Sequence, residues 1–121
     1  MRIAIIGASP DRKKFSNKAV RAYLKKGWDV VPVNPKYDKI ENLECYPTII
    51  SIPGDVEIVS FYVHPDVGEE IAKLLPKKNV KTAYLNPGSE SENLIQMLKN
   101  RDIKPILACS IHAAGFEPGG L

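Results

Sequence analysis

Cysteine, histidine and long apolar runs are all scarce in this chain of 121 residues. There are two cysteines and two histidines. Cys45 and Cys109 lie far apart, with no second cysteine pair or histidine cluster, so we expect neither a disulfide framework nor a metal site. No apolar run approaches the roughly 20 residues of a membrane span, and the first residues lack the apolar core of a signal peptide. We therefore expect a cytoplasmic protein with reduced thiols and no membrane partner.

The sequence also lacks the pattern that binds nicotinamide dinucleotides. Such a unit carries G-x-G-x-x-G in the turn after its first strand and an acidic residue at the end of its second strand. Here the first turn reads Gly7-Ala8-Ser9-Pro10, and Asn34 follows the second apolar run. Both absences weigh against an NAD(P)-dependent oxidoreductase. That function is kept as the alternative, together with other kinds of nucleotide-binding protein.

The beginning of the chain does have the pattern of a strand, a phosphate-binding turn and a helix. Residues 3–6 are a short aliphatic run typical of a buried parallel strand, and Gly7 permits a tight turn after it. Apolar residues then recur at helical spacing ahead of Gly27, which is placed as a C-terminal cap: Phe15, Ala19, Val20, Tyr23 and Leu24. The N-terminus of this helix points at the turn, so we expect an anionic, phosphorylated ligand there.

Positive charge is concentrated in the first forty residues. They contain ten Lys or Arg against three acids, whereas the remainder has seven against eleven. Part of this charge is typical of the solvated outer face of a helix, but four cations lie in loops that follow strands: Arg12, Lys13, Lys14 and Lys36. No nucleic-acid recognition motif accompanies the basic half, and exposed aromatics are not interleaved with it. We therefore do not expect nucleic acid as a partner.

Strand patterns recur along the rest of the chain. We predict buried strands at residues 28–33, 57–63, 80–85 and 103–108, each a short apolar run bounded by turn residues. Leu43 to Tyr46 is predicted as a short edge strand, and Thr48 to Pro53 as a loop or a single helical turn. The tail from Cys109 to Leu121 is predicted to be irregular because it contains three glycines and a proline.

Two helices are predicted between the later strands. Asp66 is expected to cap the first, and Pro76 to end it. Its predicted buried face consists of Val67, Ile71, Leu74 and Leu75. The second helix is expected to begin with a capping box of Ser89 and Glu92 and to carry an apolar face of Leu94, Ile95 and Leu98.

This alternation of strands and helices predicts an α/β fold. We expect one Rossmann-like domain over residues 1–121, with a doubly wound, mainly parallel sheet of five to six strands and helices on both faces. In such sheets the ligand lies beyond the carboxyl ends of the strands, beside the first strand. Three loops are expected to meet there, 7–16, 34–37 and 63–66, and the loop 86–88 follows the next strand along.

Three of these loop segments carry a family resemblance. They are Gly7-Ala8-Ser9, Val33-Asn34-Pro35-Lys36-Tyr37 and Tyr84-Leu85-Asn86-Pro87-Gly88. They resemble the opening turn, the Val-Asn-Pro-basic-aromatic segment and the aromatic-Leu-Gln-x-Gly segment of the small coenzyme A-binding proteins, which are related to the CoA-binding domain of succinyl-CoA synthetase and acyl-CoA ligases. Asn86 replaces the usual Gln. The chain departs from the family at Val63-His64-Pro65, where many members place an Arg before the proline.

The resemblance implies coenzyme A as the cofactor and gives residues to its parts. The pyrophosphate would lie against Gly7, Ala8, Ser9, Lys14, Phe15 and Ser16, with Arg12 adding charge. Lys36, beside Tyr37, would reach the 3′-phosphate. Adenine would be flanked by Pro35, Val63, His64 and Pro65. The pantetheine arm would pass Asn86, Pro87 and Gly88.

No residue pattern points to catalysis. In full-length synthetases of the family that this chain resembles, a later domain carries the phosphorylated histidine. The present sequence contains only two histidines, His64 and His112. His64 has no evident carboxylate partner, and His112 lies in the glycine-rich tail. Cys109 is placed where a disulfide with a thiol ligand is conceivable, although a small buried hydrophobe is the simpler interpretation. We expect a noncatalytic module for CoA or an acyl-CoA, with a protein partner or a second copy of the chain as further partners.

Overall fold

The structure is a computed structural model that describes all 121 residues. In chain order its elements are β1 (Arg2–Ile6), α1 (Phe15–Lys25), β2 (Asp29–Val33), β3 (Lys39–Ile40), β4 (Leu43–Glu44), β5 (Ile58–Phe61), α2 (Pro65–Ala72), β6 (Thr82–Leu85), α3 (Glu92–Lys99), β7 (Lys104–Leu107) and α4 (Ser110–Ala113). Short 3₁₀ turns occur at Ile49–Ser51, Leu75–Lys78 and Pro118–Gly120. No helix combines the length and the hydropathy needed to cross a bilayer.

Five of the strands form one parallel sheet in the order β2-β1-β5-β6-β7. The strand order reverses between β1 and β5, which is the position where ligands bind in doubly wound sheets. Ile6 is in register with Val33 of β2 and with Phe61 of β5, so these three strands end at the same level. The predicted Rossmann-like α/β fold is confirmed. The loops after β1, β2 and β5 lie together at the carboxyl ends of these strands.

The sheet is buried on both faces, as its nearly continuous aliphatic strands predict. Ile3 and Ile5 pack in the cluster that includes α1 and α4, whereas Ala4 and Ile6 pack in the cluster that includes α2 and α3. All four are at most 2% exposed. Burying one such aliphatic side chain stabilises the fold by about 1.5–3 kcal/mol, so β1 contributes to the core on both faces of the sheet.

The predicted cap and end of α2 are wrong, and its predicted buried face is only partly right, because Ile71 and Leu74 pack against the core whereas Val67 is exposed. Its N-cap is His64, whose Nδ1 accepts a hydrogen bond from the Asp66 backbone N–H at 3.2 Å, and Pro65 takes the first helical position. The helix ends at Ala72, before the 3₁₀ turn that contains Pro76. Its buried residues are Gly68 and Ala72, because the missing side chain of Gly68 lets the helix lie close to α3 and β5.

The predicted capping box of α3 is also wrong. The cap is Ser91, whose hydroxyl oxygen accepts from the backbone N–H of Leu94 at 3.0 Å. Ser89 instead belongs to the turn after β6, where its N–H donates to the carbonyl of Asn86 at 2.9 Å. The apolar face is partly as predicted, since Leu94 and Leu98 are fully buried.

Two segments outside the main sheet differ from the prediction. Residues 43–44 pair with β3 in an antiparallel hairpin rather than along the sheet, and only Tyr46 bridges to Val33 at the sheet edge. The tail is not irregular, because α4 follows β7 directly and buries Ser110 and Ile111 completely. The Tyr23 hydroxyl of α1 donates to the Ser110 carbonyl at 2.8 Å, which fixes this short helix against α1. The helical turn at Ile49–Ser51 is confirmed.

Candidate ligand-binding site

The turn after β1 packs directly against the loop after β5. Gly7 has φ +85°, and a Cβ at this position would lie 2.7 Å from the Tyr62 carbonyl oxygen and 2.8 Å from Val63 Cγ1. The backbone N–H groups of Gly7 and Ala8 both donate to the Val33 carbonyl, at 2.9 and 3.3 Å. Only glycine fits this conformation and this close approach. The ends of β1, β2 and β5 therefore converge at Gly7, as the sequence predicts.

Two asparagines hold the loop that follows Gly7. Asn34 donates from Nδ2 to the Ala8 carbonyl at 2.8 Å, and its Oδ1 accepts from the Lys36 backbone N–H at 2.9 Å. Asn17 donates from Nδ2 to the Ser9 carbonyl at 2.9 Å. Asn17 is absent from the sequence-based prediction, and its polar side chain on the otherwise apolar face of α1 is the signal that marks it. Both carbonyls are thereby fixed before any ligand binds.

The turn of the β3–β4 hairpin fastens the same loop from outside. The Glu41 carboxylate lies 2.6 Å from Nη1 of Arg12 and accepts from Nδ2 of Asn17 at 3.2 Å. Arg21 completes the cluster by donating to the Arg12 carbonyl and to Asn17 Oδ1, each at 2.8 Å. Arg12 is therefore paired with Glu41, and it lines neither the polar cavity at the start of α1 nor the apolar cavity beside α2. Its contact with a ligand stays a prediction.

A polar cavity of about 490 Å³ opens at the N-terminus of α1. Its lining combines the glycine turn, the start of α1, the loop after β2 and one side chain after β5: Gly7, Ser9, Lys13, Lys14, Phe15, Ser16, Asn34, Lys36, Tyr37 and Tyr62. No protein group accepts a hydrogen bond from the backbone N–H groups of residues 15–17, and the first turn of α1 contains no acidic residue. Free amides, the positive end of the helix dipole and three lysines favour an anion here.

An apolar cavity of about 500 Å³ lies on the α2 side of the same turn. Aliphatic side chains and prolines dominate its lining: Ile6, Gly7, Val33, Asn34, Pro35, Lys36, Pro47, Thr48, Ile49, Val63, Val67, Ile71 and Leu74. Val67 of α2 is 49% exposed at this cavity, whereas Ile71 and Leu74 line it and also pack against the core. Gly7, Asn34 and Lys36 line both cavities, so a polar site and an apolar site adjoin at these three residues.

Several predicted site residues line neither cavity. Ala8 is fully buried, and its carbonyl accepts from Asn34. His64 is exposed beside the cavities, with its Nδ1 3.6 Å from Oδ2 of Asp66, a carboxylate neighbour that the sequence-based prediction does not include. Pro65 is the first residue of α2.

Phe15, by contrast, lines the polar cavity. It was predicted to lie on the buried face of α1, but it is 58% exposed at the rim of that cavity.

Asn86 is a buried structural residue. Its Nδ2 donates to Ser60 Oγ and to the Phe61 carbonyl, each at 2.8 Å, and its Oδ1 accepts from the Ser110 backbone N–H at 2.8 Å. Its amide is thus fully used within the protein. Pro87 and Gly88 are exposed beyond the end of β6, and Pro87 lines a separate cavity of about 220 Å³.

Tyr62 is the aromatic residue of the polar cavity that the sequence-based prediction omits. Its hydroxyl lies 3.1 Å from Ser110 Oγ, and burial raises the pKa of Tyr62 to about 12. The two cysteines are free thiols outside both cavities. Burial also raises the pKa of Cys45, whose Sγ lies 3.5 Å from the Asn34 carbonyl. Cys109 is half-buried before α4.

Comparison with known proteins gives consistent matches. The model of the CoA binding domain family matches residues 1–114. Acetate–CoA ligase [ADP-forming] I of Archaeoglobus fulgidus is 36% identical over 75 residues, which is 62% of this chain but 10% of the ligase. Uncharacterized protein YneT of Bacillus subtilis is 24% identical over 113 residues, covering 93% of this chain and 84% of YneT. A conserved hypothetical protein from Pyrococcus furiosus superimposes with a TM-score of 0.83 and 35% identity, covering 93% of this chain and 97% of that one.

Proposed function

The chain belongs to the CoA binding domain family, and on that premise we propose that it is a noncatalytic module that binds coenzyme A or an acyl-CoA across the two adjoining cavities. The observation that supports this proposal most strongly is the match between the cavities and the parts of the ligand. Coenzyme A joins a charged pyrophosphate to an adenine with a 3′-phosphate. The polar cavity at α1 and the apolar cavity at α2 adjoin at Gly7, Asn34 and Lys36.

In this proposal the pyrophosphate occupies the polar cavity. The free backbone N–H groups at the start of α1 donate to its oxygens, and Lys14 and Ser16 contribute a cation and a hydroxyl. Gly7 lets the β1 turn pack against the loop after β5, because a side chain at this position would meet the Tyr62 carbonyl oxygen and Val63.

Adenine occupies the apolar cavity in the same proposal. Pro35, Val63 and Val67 all line that cavity. Lys36, which lines both cavities, is placed to pair with the 3′-phosphate between adenine and pyrophosphate. The pantetheine arm then continues towards the ends of β5 and β6, where Pro87 and Gly88 are exposed.

The noncatalytic role rests on the titratable groups around the ligand. Lysines and tyrosines are the only ones that line the two cavities, and they include neither a carboxylate nor a histidine. Acyl or phosphoryl transfer through a serine hydroxyl there, such as Ser9 or Ser16, would need a neighbouring carboxylate or histidine as the general base. The match to a small part of an acetate–CoA ligase supports a protein partner that carries out the chemistry.

An NAD(P)-dependent oxidoreductase is the alternative that shares this fold. The end of β2 weighs against it, because Asn34 is hydrogen-bonded to Ala8 and Lys36 and presents no carboxylate to a ribose diol. The neighbouring Lys36 is suited to a phosphate instead.

Thermal unfolding with matched concentrations of CoA, dephospho-CoA, ATP, NAD and NADP tests the proposal. A ligand present at a hundred times its dissociation constant stabilises the folded state by about 2.7 kcal/mol, which raises the midpoint by on the order of 10 °C for a domain of this size. We expect the largest shift with CoA. A shift with NAD or NADP and none with CoA would replace the proposal with the oxidoreductase.

A further inference from the structure

A chain of buried hydrogen bonds runs from β6 to the polar cavity. Asn86 donates from Nδ2 to Ser60 Oγ at 2.8 Å, Ser60 Oγ lies 2.8 Å from Ser110 Oγ, and Ser110 Oγ lies 3.1 Å from the Tyr62 hydroxyl. Both serines are completely buried, whereas Tyr62 lines the polar cavity. The chain therefore begins inside the protein and ends at the proposed ligand.

The direction of these hydrogen bonds follows from the partners of each hydroxyl. Ser60 Oγ already accepts from the Asn86 amide and lies 2.8 Å from Ser110 Oγ, so the Ser60 proton is donated to Ser110. Ser110 Oγ has one remaining partner, so its own proton is donated to the Tyr62 oxygen.

The opposite direction is disfavoured. If Tyr62 donated to Ser110 and Ser110 donated to Ser60, the Ser60 proton would have no acceptor in a fully buried position. A buried donor without a partner costs more than an ordinary hydrogen bond contributes. Only the direction that ends at Tyr62 gives both buried serine protons an acceptor.

This direction makes the Tyr62 oxygen an acceptor and leaves the Tyr62 proton without an acceptor in the protein. We propose that Tyr62 is a ligand-binding residue whose hydroxyl donates a hydrogen bond to an oxygen of bound coenzyme A, either a phosphoryl oxygen or an amide carbonyl of the pantetheine arm. The inference rests on the proposed function, because it assigns a contact to the same ligand. It adds a specific donor to a cavity whose other polar groups are mainly lysines and backbone amides.

Two further properties suit Tyr62 to this role. Its raised pKa of about 12 keeps the phenol protonated, and so a donor, throughout the physiological range. The hydroxyl is also oriented before the ligand arrives, because Ser110 holds its oxygen from the protein side. A donor that is already in place binds without the entropy cost of ordering a mobile side chain.

The test compares Tyr62→Phe with Tyr84→Phe by calorimetric titration with CoA. Tyr84 lies on the adjacent strand β6, lines neither cavity and makes no hydrogen bond through its hydroxyl, so it is a matched control. We expect Tyr62→Phe to bind CoA about 3- to 10-fold more weakly if the acceptor is a neutral amide carbonyl, and more weakly still if it is a charged phosphoryl oxygen, whereas Tyr84→Phe should bind like the wild type. Titration with ADP identifies the acceptor oxygen. If Tyr62 contacts a phosphoryl oxygen, Tyr62→Phe should lose as much affinity for ADP as for CoA. If it contacts the pantetheine arm, which ADP lacks, the affinity for ADP should not change.

Ser110→Ala separates a ligand contact from a structural role. It removes the hydrogen bond that orients Tyr62 but keeps the phenol as a donor, so we expect lower thermal stability and a loss of CoA affinity clearly smaller than that of Tyr62→Phe. If Ser110→Ala weakened CoA binding as much as Tyr62→Phe, the effect of Tyr62 would be structural and the inference would be overturned. Equal CoA affinities of the wild type and Tyr62→Phe would overturn it too, whereas a wild type that does not bind CoA contradicts the proposed function itself.

Discussion

At the scale of single residues, Lys36 has the most informative position, because it lines both cavities. We expect Lys36→Ala to weaken the binding of CoA more than the binding of dephospho-CoA, which lacks the 3′-phosphate. Because an exposed ion pair contributes up to about 1 kcal/mol, the affinity for CoA divided by that for dephospho-CoA should fall about three- to fivefold. Titration calorimetry with both ligands measures it. Lys39→Ala is the control, as Lys39 is an exposed lysine of β3 outside both cavities, and an unchanged ratio in Lys36→Ala would remove Lys36 from the site.

Gly7 and Gly27 form a matched pair for testing the close approach at the β1 turn. Both have φ +85°, but a Cβ at Gly7 would contact Tyr62 and Val63, whereas a Cβ at Gly27 would meet nothing within 4 Å. We expect Gly27→Ala to cost about 1 kcal/mol for its backbone conformation and Gly7→Ala to cost about 3 kcal/mol or more. Urea unfolding measures both, and equal losses would show that the turn has room for a side chain.

The residues found from the sequence and those missed differ in how local their signal is. Gly7 and Lys36 occur in short segments whose pattern shows a turn after a strand. Tyr62 and Asn17 matter because of partners far away in the chain, such as Ser110 and Glu41. No local pattern contains those partners, so the polar chain behind Tyr62 is visible only in the folded structure.

At the scale of elements, the β3–β4 hairpin holds the loop between β1 and α1 through Glu41. We expect Glu41→Gln to release Arg12 while keeping an acceptor for Asn17, at a cost of about 1 kcal/mol or less because Arg12 is largely exposed. The loop should open more often, so the amides of Lys13 and Lys14, both bonded to Asp11, should exchange with solvent faster. Hydrogen exchange measures this effect.

Glu44→Gln is the control for the hairpin prediction. Glu44 lies on the same hairpin but is exposed and bonds only to the Tyr46 hydroxyl, at 3.2 Å. Its substitution should leave the exchange of the Lys13 and Lys14 amides unchanged. If Glu41→Gln also left it unchanged, the hairpin would not stabilise the loop.

The predicted buried face of α2 is only partly right. Val67, Ile71 and Leu74 have the spacing of a core stripe, and all three line the apolar cavity, although Ile71 and Leu74 also pack against the core. The fully buried residues of the helix are Gly68 and Ala72. Hydrophobic periodicity does not distinguish a side chain that covers the core from one that lines a cavity, since both are apolar. The same ambiguity applies to Phe15 of α1.

At the scale of the whole molecule, the phenols of the buried Tyr23 and the half-buried Tyr62 make stability depend on alkaline pH. Burial raises the pKa of Tyr62 to about 12 and raises that of Tyr23 as well. The folded state therefore keeps these protons above about pH 10, where tyrosines of the unfolded chain ionise. Stability from this source is complete below that pH and is lost as pH rises towards the folded pKa, by up to about 1.4 kcal/mol per pH unit for each tyrosine.

Urea unfolding between pH 9 and pH 11.5 measures this dependence. We expect the free energy of unfolding to fall above pH 10, and Tyr62→Phe to lose stability less steeply than the wild type because one phenol is removed. Identical slopes would mean that Tyr62 ionises alike in the folded and unfolded states.

The architecture was predictable because each strand and helix repeats a local pattern, and right-handed crossovers leave few ways to connect them. The tail was not predictable by the same means. α4 has four residues, too few for periodicity, and it is held by the Tyr23 hydroxyl and by the Asn86 side chain, which accepts from Ser110. Tertiary contacts alone make it a helix.

The most direct test of the account is to follow the backbone amide resonances of the protein by NMR while CoA is added. We predict saturable shifts of the residues around both cavities: Gly7, Ser9, Ser16, Lys36, Val63 and Val67. Gly54 and Asn79, which precede β5 and β6 at the amino ends of the strands, should change little. Shifts confined to the amino ends of the strands, or no saturable shift at all, would contradict the binding of coenzyme A at the Gly7 turn.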